Sequence, residues 1–496
     1  MKNQRYKSFF LVLIVIILLL GAFFLPKIRI GSTELRRVNL LSDVMLKDST
    51  GVILAEAKVD SLVGTFEVLE DTMNMTTELG EAFDQIEIEN IDTLIDSGTG
   101  DGGSGSDGLP SSQQSSSNIP DTTYRAPSIQ AIDYSNVETN GEVAIEDFGG
   151  IMGHFRSALS QASSRPVRIA FFGDSFIEGD ILSGDLRELL QSSYGGKGVG
   201  WVDISCVSEG FRRSAKTKNA GWSKHHANDR SGYQKSFQGL NGGYFVPIAD
   251  NATFSVTTSK GRAATADKAY VFLSPSGIYL EGCANGGAMQ PLGIGGNSTL
   301  GIAEISGSNI SKLSLSASGT GHVLGVALEG NTGIVVDNYS MRGSNGCYTA
   351  NTSSAMLSAY AQYRPYDLFI FEYGLNIASK NSRNYSSYTS QFKQVIRKIR
   401  SHFPNASILI LGSGDRDIKT SNGLMTMPGV KELIAAQRQM AMDEGVAFWN
   451  TYAAMGGEGG IGRMQQKGQA NLDYTHITFN GGKVIAKCLY DALTSN

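Results

Sequence analysis

The fold of this chain is decided by the stretch Val167-Arg168-Ile169-Ala170-Phe171-Phe172-Gly173-Asp174-Ser175. Its first six residues form a mostly apolar run that ends in a turn signal, as is typical of a buried β-strand. An amphipathic helix pattern follows over residues 182–190. A strand, a sharp turn and a helix in this order predict a βα unit and therefore a parallel sheet.

The same alternation of strand and helix returns in the last third of the chain. Short apolar runs predict further strands, and longer amphipathic patterns predict the helices between them. The predicted strands are 334–336, 368–371, 408–411 and 447–449, and the predicted helices are 388–403, 430–444 and 479–493. Strands that alternate with helices imply a sheet covered by helices on both faces, which is an α/β fold.

A long segment between the first βα unit and the second strand has a different pattern. Residues 244–329 contain short alternating runs bounded by Gly, Asn and Ser, and no clear helix. Many short strands at this spacing predict a β-sandwich. We therefore expect an inserted β-rich domain at 205–330, which divides the α/β domain into residues 126–204 and 331–496.

The amino terminus has the features of a membrane anchor. Basic residues within 1–8 precede an uninterrupted apolar run at 9–25, which is just long enough to span a bilayer, and no small-residue cleavage site follows it. Positive charge before the run favours a cytoplasmic amino terminus. The sequence thus predicts a single-pass anchor in a bacterial inner membrane, with the α/β domain in the periplasm or elsewhere outside the cytoplasm.

The segment between the anchor and the α/β domain has two parts. Residues 27–93 mix short apolar runs with acidic patches, which predicts a stalk or a small membrane-proximal segment. Residues 94–125 are rich in Gly, Ser, Asp and Gln, and such a composition cannot bury enough apolar surface to fold. We expect a disordered linker that tethers the α/β domain to the anchor.

Composition narrows the range of functions and partners. The formal net charge is −5 over 496 residues, which gives no electrostatic basis for binding nucleic acid. The four cysteines match no metal-binding spacing, and their number is compatible with two disulfides as well as with free structural thiols. His225, His226 and Asp229 form a polar cluster whose default interpretation is a solvated loop. Cys347 would need a base of its own to act as a nucleophile.

Ser175 is the first candidate catalytic residue. A serine at a strand-to-helix turn displays its hydroxyl at the carboxyl edge of a parallel sheet, where α/β proteins place their ligands. A serine that only caps a helix would have the same three-residue signature. Near the other end of the chain, Asp473 lies three residues before His476. At this spacing the carboxylate can accept the imidazole N–H and leave the other ring nitrogen facing a nucleophile.

Two further segments offer hydrogen-bond donors for an oxyanion. Gly343-Ser344-Asn345-Gly346 follows the second predicted strand, and Gly374-Leu375-Asn376 follows the third. Glycine and asparagine occur in turns of every kind. Their position is informative here, because together with Ser175 they follow successive strands and are expected at one edge of the sheet.

Ser175, a glycine of the 343–346 segment, Asn376 and His476 resemble the four sequence blocks of the SGNH (GDSL-like) hydrolases. The resemblance implies a flavodoxin-like three-layer α/β/α fold and a serine-esterase mechanism without metal or cofactor. In that mechanism Ser175 attacks an ester carbonyl, His476 acts as the base and Asp473 orients it. The N–H groups of Ser175 and Gly346 and the amide of Asn376 would hold the oxyanion. Gly346 is chosen because it is the second glycine of the G-x-x-G segment.

The resemblance covers residues 140–496 and extends to one branch of the family. The stretches 173–180 and 194–200 are similar to those of peptidoglycan O-acetylesterases, a branch that also carries an inserted, carbohydrate-binding-like β-module. The chain departs from many family members at Ile377, where they have Asp. Aromatic residues in and near the insert could stack on sugar rings, although core positions are the default expectation. These residues are Trp201, Trp222, Tyr233 and Tyr244.

Three hypotheses for the function follow. The first is an exported esterase that removes O-acetyl groups from peptidoglycan or another envelope polysaccharide. The second is an O-acetyltransferase, which would use the same acyl-enzyme, take acetyl from a membrane donor protein and pass it to a glycan. The third is a glycan-binding protein without catalytic activity. An acetylated glycan is the expected substrate, the membrane is bound through the anchor, and nucleic acid is not an expected partner.

Overall fold

A computed structural model describes residues 132–229 and 232–495, together with two short antiparallel strands near the amino terminus, Arg29–Ile30 and Thr33–Glu34. The predicted anchor at 9–25 and linker at 94–125 lie outside the described residues, as does most of the predicted stalk at 27–93. Within the described part of the chain, no helix is both long enough and apolar enough to cross a membrane.

Residues 132–495 contain strands of two kinds, parallel strands that alternate with helices and antiparallel strands in between. In chain order the strands are β1 (Glu146–Asp147), β2 (Pro166–Gly173), β3 (Gly200–Val202), β4 (Ala215–Ala220), β5 (Trp222–His226), β6 (Gly243–Pro247), β7 (Ala252–Thr258), β8 (Ala266–Leu273), β9 (Ile278–Ala284), β10 (Gln290–Pro291), β11 (Gly295–Gly296), β12 (Gly301–Ile310), β13 (Lys312–Gly319), β14 (Val323–Glu329), β15 (Gly333–Ser340), β16 (Leu368–Glu372), β17 (Ser407–Leu411), β18 (Asp417–Thr420), β19 (Gly423–Thr426) and β20 (Ala447–Trp449). The α-helices are α1 (Met152–Leu159), α2 (Ser183–Tyr194), α3 (Ser354–Tyr363), α4 (Ser386–His402), α5 (Val430–Glu444), α6 (Thr451–Ala454), α7 (Gly460–Gln466) and α8 (Phe479–Thr494).

The sheet that carries the predicted βα units has the order β15-β2-β16-β17-β20-β1. All neighbours are parallel except β1, which runs antiparallel to β20. Numbered by their order along the chain, the five parallel strands are arranged 2-1-3-4-5, as in flavodoxin-like folds.

Helices cover both faces of this sheet. In β2, Ile169 and Phe171 pack in one core with residues of α1, α2 and α8, whereas Ala170 and Phe172 pack in a second core with residues of α3, α4 and α5. Successive side chains of a strand point to opposite faces, so an apolar run without alternation serves both cores. The predicted α/β fold is confirmed.

The inserted region consists of two antiparallel sheets packed face to face. One sheet has the order β11-β12-β8-β14-β6-β5, with β3 also paired to β14, and the other has the order β10-β9-β13-β7-β4. Side chains from both sheets, such as Val256 and Val271, fill the space between them. The region begins with β3 at Gly200 rather than at the predicted residue 205, because a three-residue strand behind a run of glycines has almost no periodic signal.

The sandwich packs onto the α/β domain through an extensive apolar surface. Trp201, Tyr244 and Phe272 of its larger sheet belong to the same core as Tyr339 and Tyr360 of the α/β domain. The larger sheet is therefore covered on both faces, by the smaller sheet and by the α/β domain.

A buried ionic network joins the same two domains. Glu329, the last residue of β14, pairs with Arg364 at 2.9 Å and with Arg168 at 2.6 Å, and Arg364 also pairs with Asp337 of β15 at 2.7 Å. Charges buried this deeply are stable only when each has its partner in place. The network therefore fixes the end of the sandwich to the first two strands of the sheet.

The two ends of the insertion lie side by side. The Gly330 N–H donates to the carbonyl oxygen of Lys197 at 3.0 Å. A side chain on Gly333, which has a φ of 87°, would come within 2.1 Å of the backbone nitrogen of Gly196. Glycine is thus required for this close approach, which allows a whole domain to be inserted in one connection of the sheet.

Candidate active site

The candidate nucleophile Ser175 lies in a tight turn directly after β2. At Gly173, which ends the strand, a side chain would lie 2.7 Å from Ile177. The following Asp174 is fully buried, and its Oδ1 accepts the N–H of Phe176 at 3.0 Å. This hydrogen bond holds the turn in the manner of an Asx-turn. Ser175 is partly exposed at the carboxyl edge of the sheet.

Asp473 and His476 belong to the loop before α8. Asp473 Oδ1 accepts the N–H of Thr475 at 2.9 Å and that of His476 at 3.0 Å, so the loop folds around the carboxylate. Tyr474 has a φ of 50°, in the left-handed region that few non-glycine residues adopt. Its carbonyl oxygen accepts the N–H of Asp417 at 3.0 Å, which ties the loop to β18.

The structure brings the three predicted catalytic side chains into one row of hydrogen bonds. Ser175 Oγ lies 3.0 Å from His476 Nε2, and His476 Nδ1 lies 2.5 Å from Asp473 Oδ2. An ionised carboxylate can only accept, so Nδ1 carries the ring proton and Nε2 accepts the proton of the serine. This arrangement can activate a serine as a nucleophile.

The surroundings of Asp473 keep its carboxyl group ionised, as a hydrogen bond from His476 Nδ1–H requires. Burial alone would raise the pKa of Asp473. The hydrogen bond and charge of His476, together with the N–H groups of His476 and Thr475, outweigh that effect and hold the pKa of Asp473 below its ordinary value. Asp473 is therefore ionised at neutral pH and can stabilise an imidazolium.

Asn376 lies against both the serine turn and the 343–346 segment. Its Nδ2 donates to Asp174 Oδ2 at 2.8 Å and to the carbonyl oxygen of Ser344 at 3.1 Å. The amide nitrogen has two hydrogens, and both are used in this structure. An oxyanion next to Ser175 would compete with the Ser344 carbonyl for the second one.

The two glycines of the G-x-x-G segment have different environments, and these favour Gly343 over the predicted Gly346 as an oxyanion donor. The Gly346 N–H donates to Ser344 Oγ at 3.0 Å, and a side chain at Gly346 would lie 2.4 Å from the ring of Tyr373. Gly343 has a φ of 72° and open space where a side chain would be. Its N–H bonds to none of the residues that the structure describes. Sequence alone could not separate the two, because they differ in burial and in the hydrogen bond of the N–H, and the G-x-x-G spacing encodes neither.

The remaining candidates from the sequence have structural explanations. All four cysteines are free thiols, and burial raises the pKa of Cys347 to about 11, so it is not a thiolate at neutral pH. Burial lowers the pKa of His226 to about 3, and its backbone N–H donates to Asp229 at 2.5 Å. No group of three potential metal ligands occurs among the described residues.

The aromatic residues divide between core and surface. Trp201 and Tyr244 are only 1% and 2% exposed, which agrees with the default expectation of core positions. Trp222 and Tyr233 are partly exposed. The ring of Tyr233 lies 6.2 Å from that of Tyr244, so the exposed ring is backed by the buried one.

A polar cleft of about 160 Å³ lies between the two domains. Its wall from the α/β domain includes Glu178, three residues after Ser175, and Arg342, which pairs with Glu178 at 2.6 Å. From the sandwich, Asn228 donates to the carbonyl oxygen of Arg342 at 3.0 Å. Lys224 also lines the cleft, and its ammonium makes no hydrogen bond or ion pair within the described ranges. The cleft thus has walls from both domains and borders the segment that follows Ser175, although Ser175 itself does not line it.

Comparison with known proteins gives a match at the level of the fold. No protein-family model and no curated protein sequence matches the chain. A solved structure of a peptidoglycan O-acetylesterase matches with a TM-score of 0.57 and 23% identity, over 70% of this chain and 97% of the esterase. This chain has the fold of that esterase. The fold that the family resemblance implied is thus confirmed.

Other solved structures match over smaller parts of the chain. A family two carbohydrate esterase from Cellvibrio japonicus matches with a TM-score of 0.23 and 10% identity, over 56% of this chain and 97% of that protein. An acetyl xylan esterase matches with a TM-score of 0.24 and 11% identity, over 32% of this chain and 81% of that protein.

Proposed function

We propose that the protein is a serine esterase that removes O-acetyl groups from an envelope polysaccharide such as peptidoglycan. The observation that carries the proposal is the row of hydrogen bonds from Ser175 through His476 to Asp473 at the carboxyl edge of the sheet. A serine that only capped a helix would not be expected to lie 3.0 Å from the imidazole of His476, with the carboxylate of Asp473 bound to the other ring nitrogen.

Each side chain of the site has a role in the proposed reaction. Ser175 Oγ attacks the acetyl carbonyl while His476 Nε2 takes the serine proton. The tetrahedral oxyanion accepts hydrogen bonds from the N–H groups of Ser175 and Gly343 and from the Asn376 amide. The sugar oxygen then leaves with the proton from His476, and an acetyl-enzyme remains on Ser175. Water attacks that ester, again with His476 as base, and acetate is released.

The polysaccharide part of the proposal is supported by the cleft and by the fold. A small ester would need only Ser175 and its neighbours, whereas the cleft offers polar groups from the sandwich, such as Lys224 and Asn228, beside the serine turn. The solved structure with the same fold is described as a peptidoglycan O-acetylesterase. Both points favour an extended, polar substrate over a lipid.

The test is acetate release by the full-length protein from a chromogenic acetate ester and from O-acetylated peptidoglycan. We expect Ser175→Ala to lower kcat/KM by roughly 10⁴-fold or more on both substrates. Ser401→Ala, at an exposed serine of α4, is the matched control and should behave as the wild type. Equal rates for wild type and Ser175→Ala on every acyl ester would contradict the proposal and leave a glycan-binding protein.

A second arm of the same experiment adds an unacetylated glycan. Release of acetate to water that the added glycan does not change supports the esterase. Acetyl groups that appear on the added glycan instead would identify a transferase, since the same acetyl-enzyme serves both reactions.

We also propose that the predicted anchor at 9–25 holds the enzyme at the inner membrane with its catalytic domain in the periplasm. The proposal rests on the apolar run and on the basic residues before it. Recovery of the full-length protein in washed membranes, with Ser175 accessible to a serine-reactive probe in spheroplasts, is the expected result. Recovery in the soluble fraction would contradict it.

A further inference from the structure

Glu372 is a buried carboxyl group that the mechanism above does not use. It is the last residue of β16 and pairs in register with Gly173, next to the serine turn. Its side chain is fully buried, and neither carboxyl oxygen has a hydrogen-bond partner of good geometry in the described part of the chain. The groups close to it belong to Asp174: its carboxyl group, which raises the pKa of Glu372, and its backbone N–H, which lowers that pKa to a smaller extent.

Two buried carboxyl groups in contact cannot both be ionised. Burial and repulsion by the Asp174 carboxylate both disfavour an ionised Glu372, and they outweigh the one backbone N–H, that of Asp174, which favours it. One proton between the two removes both problems, because a neutral carboxyl group donates one hydrogen bond. The proton resides on Glu372, since Asp174 already accepts hydrogen bonds from Phe176 and Asn376 and is the better anion.

The titration behaviour of the pair agrees with this assignment. Burial raises the pKa of both groups, and it raises that of Glu372 further. The charged groups that act on Asp174 are His476, which lowers its pKa, and Glu178, which raises it. Tyr373 and Tyr388 also face the pair, and both are phenols whose pKa is raised above the ordinary value by burial. They are therefore neutral neighbours.

We propose that Glu372 is a positioning residue of the esterase site, which in its neutral form donates a hydrogen bond to Asp174 and keeps Asp174 ionised. Ionised Asp174 accepts from the Phe176 N–H, which holds the turn of Ser175, and from the Asn376 amide, which is an oxyanion donor. Glu372 thus acts on the reaction through two groups that it does not touch. This inference rests on the proposed function.

The experiment compares two variants of the full-length protein. Glu372→Gln keeps a donor to Asp174 through its amide, and we expect kcat close to that of the wild type. Glu372→Met fills the same space without a donor, and we expect kcat to fall roughly tenfold or more, as for the loss of one hydrogen bond to a charged group. KM for the chromogenic ester should change little. The acid limb of the pH profile should move to higher pH in Glu372→Met, because Asp174 then takes up a proton more readily.

A spectroscopic measurement tests the proton directly and does not depend on activity. The infrared difference spectrum of wild type against Glu372→Gln at mildly alkaline pH should contain the carbonyl band of a protonated carboxylic acid. Absence of that band would overturn the proposal, even if Glu372→Met does not fold. Equal kcat and equal pH profiles for the two variants would overturn the positioning role. If the wild type hydrolyses no ester but the band is present, the proposed function fails and the shared proton stands.

Discussion

Asp180, at the end of the serine turn, forms a buried ion pair with Arg212 of the inserted sandwich, with 3.0 Å between Asp180 Oδ2 and Arg212 Nε. The same carboxylate pairs with Arg187 of α2 at 2.7 Å and accepts a hydrogen bond from Ser214 of the sandwich. A single side chain near Ser175 therefore joins the turn, the following helix and the insertion. The geometry of the active site depends on how the sandwich is docked.

The first prediction concerns this ion pair. Arg212→Met leaves Asp180 with one cation fewer in a fully buried position, and we expect the free energy of unfolding to fall by about 3–5 kcal/mol. The matched control is Arg438→Met, which breaks a pair with Glu146 that is about 40% exposed and should cost at most about 1 kcal/mol. Chemical denaturation of both variants is the measurement. Similar losses in the two would contradict the role given to burial.

The second prediction concerns pH. Burial alone would raise the pKa of Asp180, but Arg187 and Arg212 outweigh it and hold the pKa well below its ordinary value of about 3.9. A group with a depressed pKa in the folded state contributes stability above its unfolded pKa and loses it as the pH falls. The free energy of unfolding should therefore drop as the pH is lowered below about 4. Asp180→Asn should be less stable at neutral pH and show a shallower acid dependence; the same slope as in wild type would refute the assignment.

The third prediction concerns Asp473. Asp473→Asn keeps the size of the side chain, but its amide can donate to Nδ1 and so favours the wrong tautomer of His476. We expect kcat to fall by roughly 10⁴-fold with KM nearly unchanged. Steady-state kinetics on the chromogenic ester check this. A loss smaller than tenfold would mean that Asp473 only shapes the loop.

The fourth prediction separates the two glycines. Gly346→Ala places a methyl group against the buried ring of Tyr373, so we expect a large loss of thermal stability. Gly343→Ala meets no neighbour and carries only the strain of a positive φ, roughly 1–2 kcal/mol. Thermal unfolding of both variants tests the difference. Equal destabilisation would show that Gly346 is not packed in the core.

The fifth prediction concerns the cleft. Lys224→Met removes a cation that makes no hydrogen bond or ion pair in the described structure and acts on Glu178 and Asp203 only through its charge, so the fold should be little affected. We expect KM for O-acetylated peptidoglycan to rise by roughly fivefold, as for one lost hydrogen bond, with no change in kcat/KM for the small ester. Lys235→Met, an exposed lysine of the sandwich outside the cleft, is the control. Equal effects of the two substitutions would exclude the cleft as a binding site.

Local sequence patterns were sufficient to predict many of the strands and helices of the α/β domain. The run 167–172 predicts β2 because an apolar strand without alternation needs a core on each face, and the sheet has both. Asp473 and His476 could be paired because three residues of spacing suffice for the contact. α3 was not predicted, because its start depends on one capping hydrogen bond, from the Met356 N–H to Ser353.

Features that depend on tertiary contacts could not be predicted in the same way. Glu372 is a single acid at the end of an apolar strand, and nothing nearby in the sequence identifies Asp174 as its partner. Asp180 and Arg212 meet only after the sandwich has docked. Gly343 and Gly346 differ in burial, which the G-x-x-G spacing does not encode.

The position of the insertion also determines the order in which the catalytic sheet can be assembled. β2 is a central strand, yet both of its neighbours, β15 and β16, follow the whole sandwich in the chain. During synthesis β2 emerges first and has no partner on either side until the sandwich has been made. Unpaired apolar strand edges are prone to aggregation, and such distant pairings form slowly. All strands of the sandwich precede β15 in the chain, so the sandwich can fold in that interval. Its adjacent ends would then place β15 beside the unpaired edge of β2.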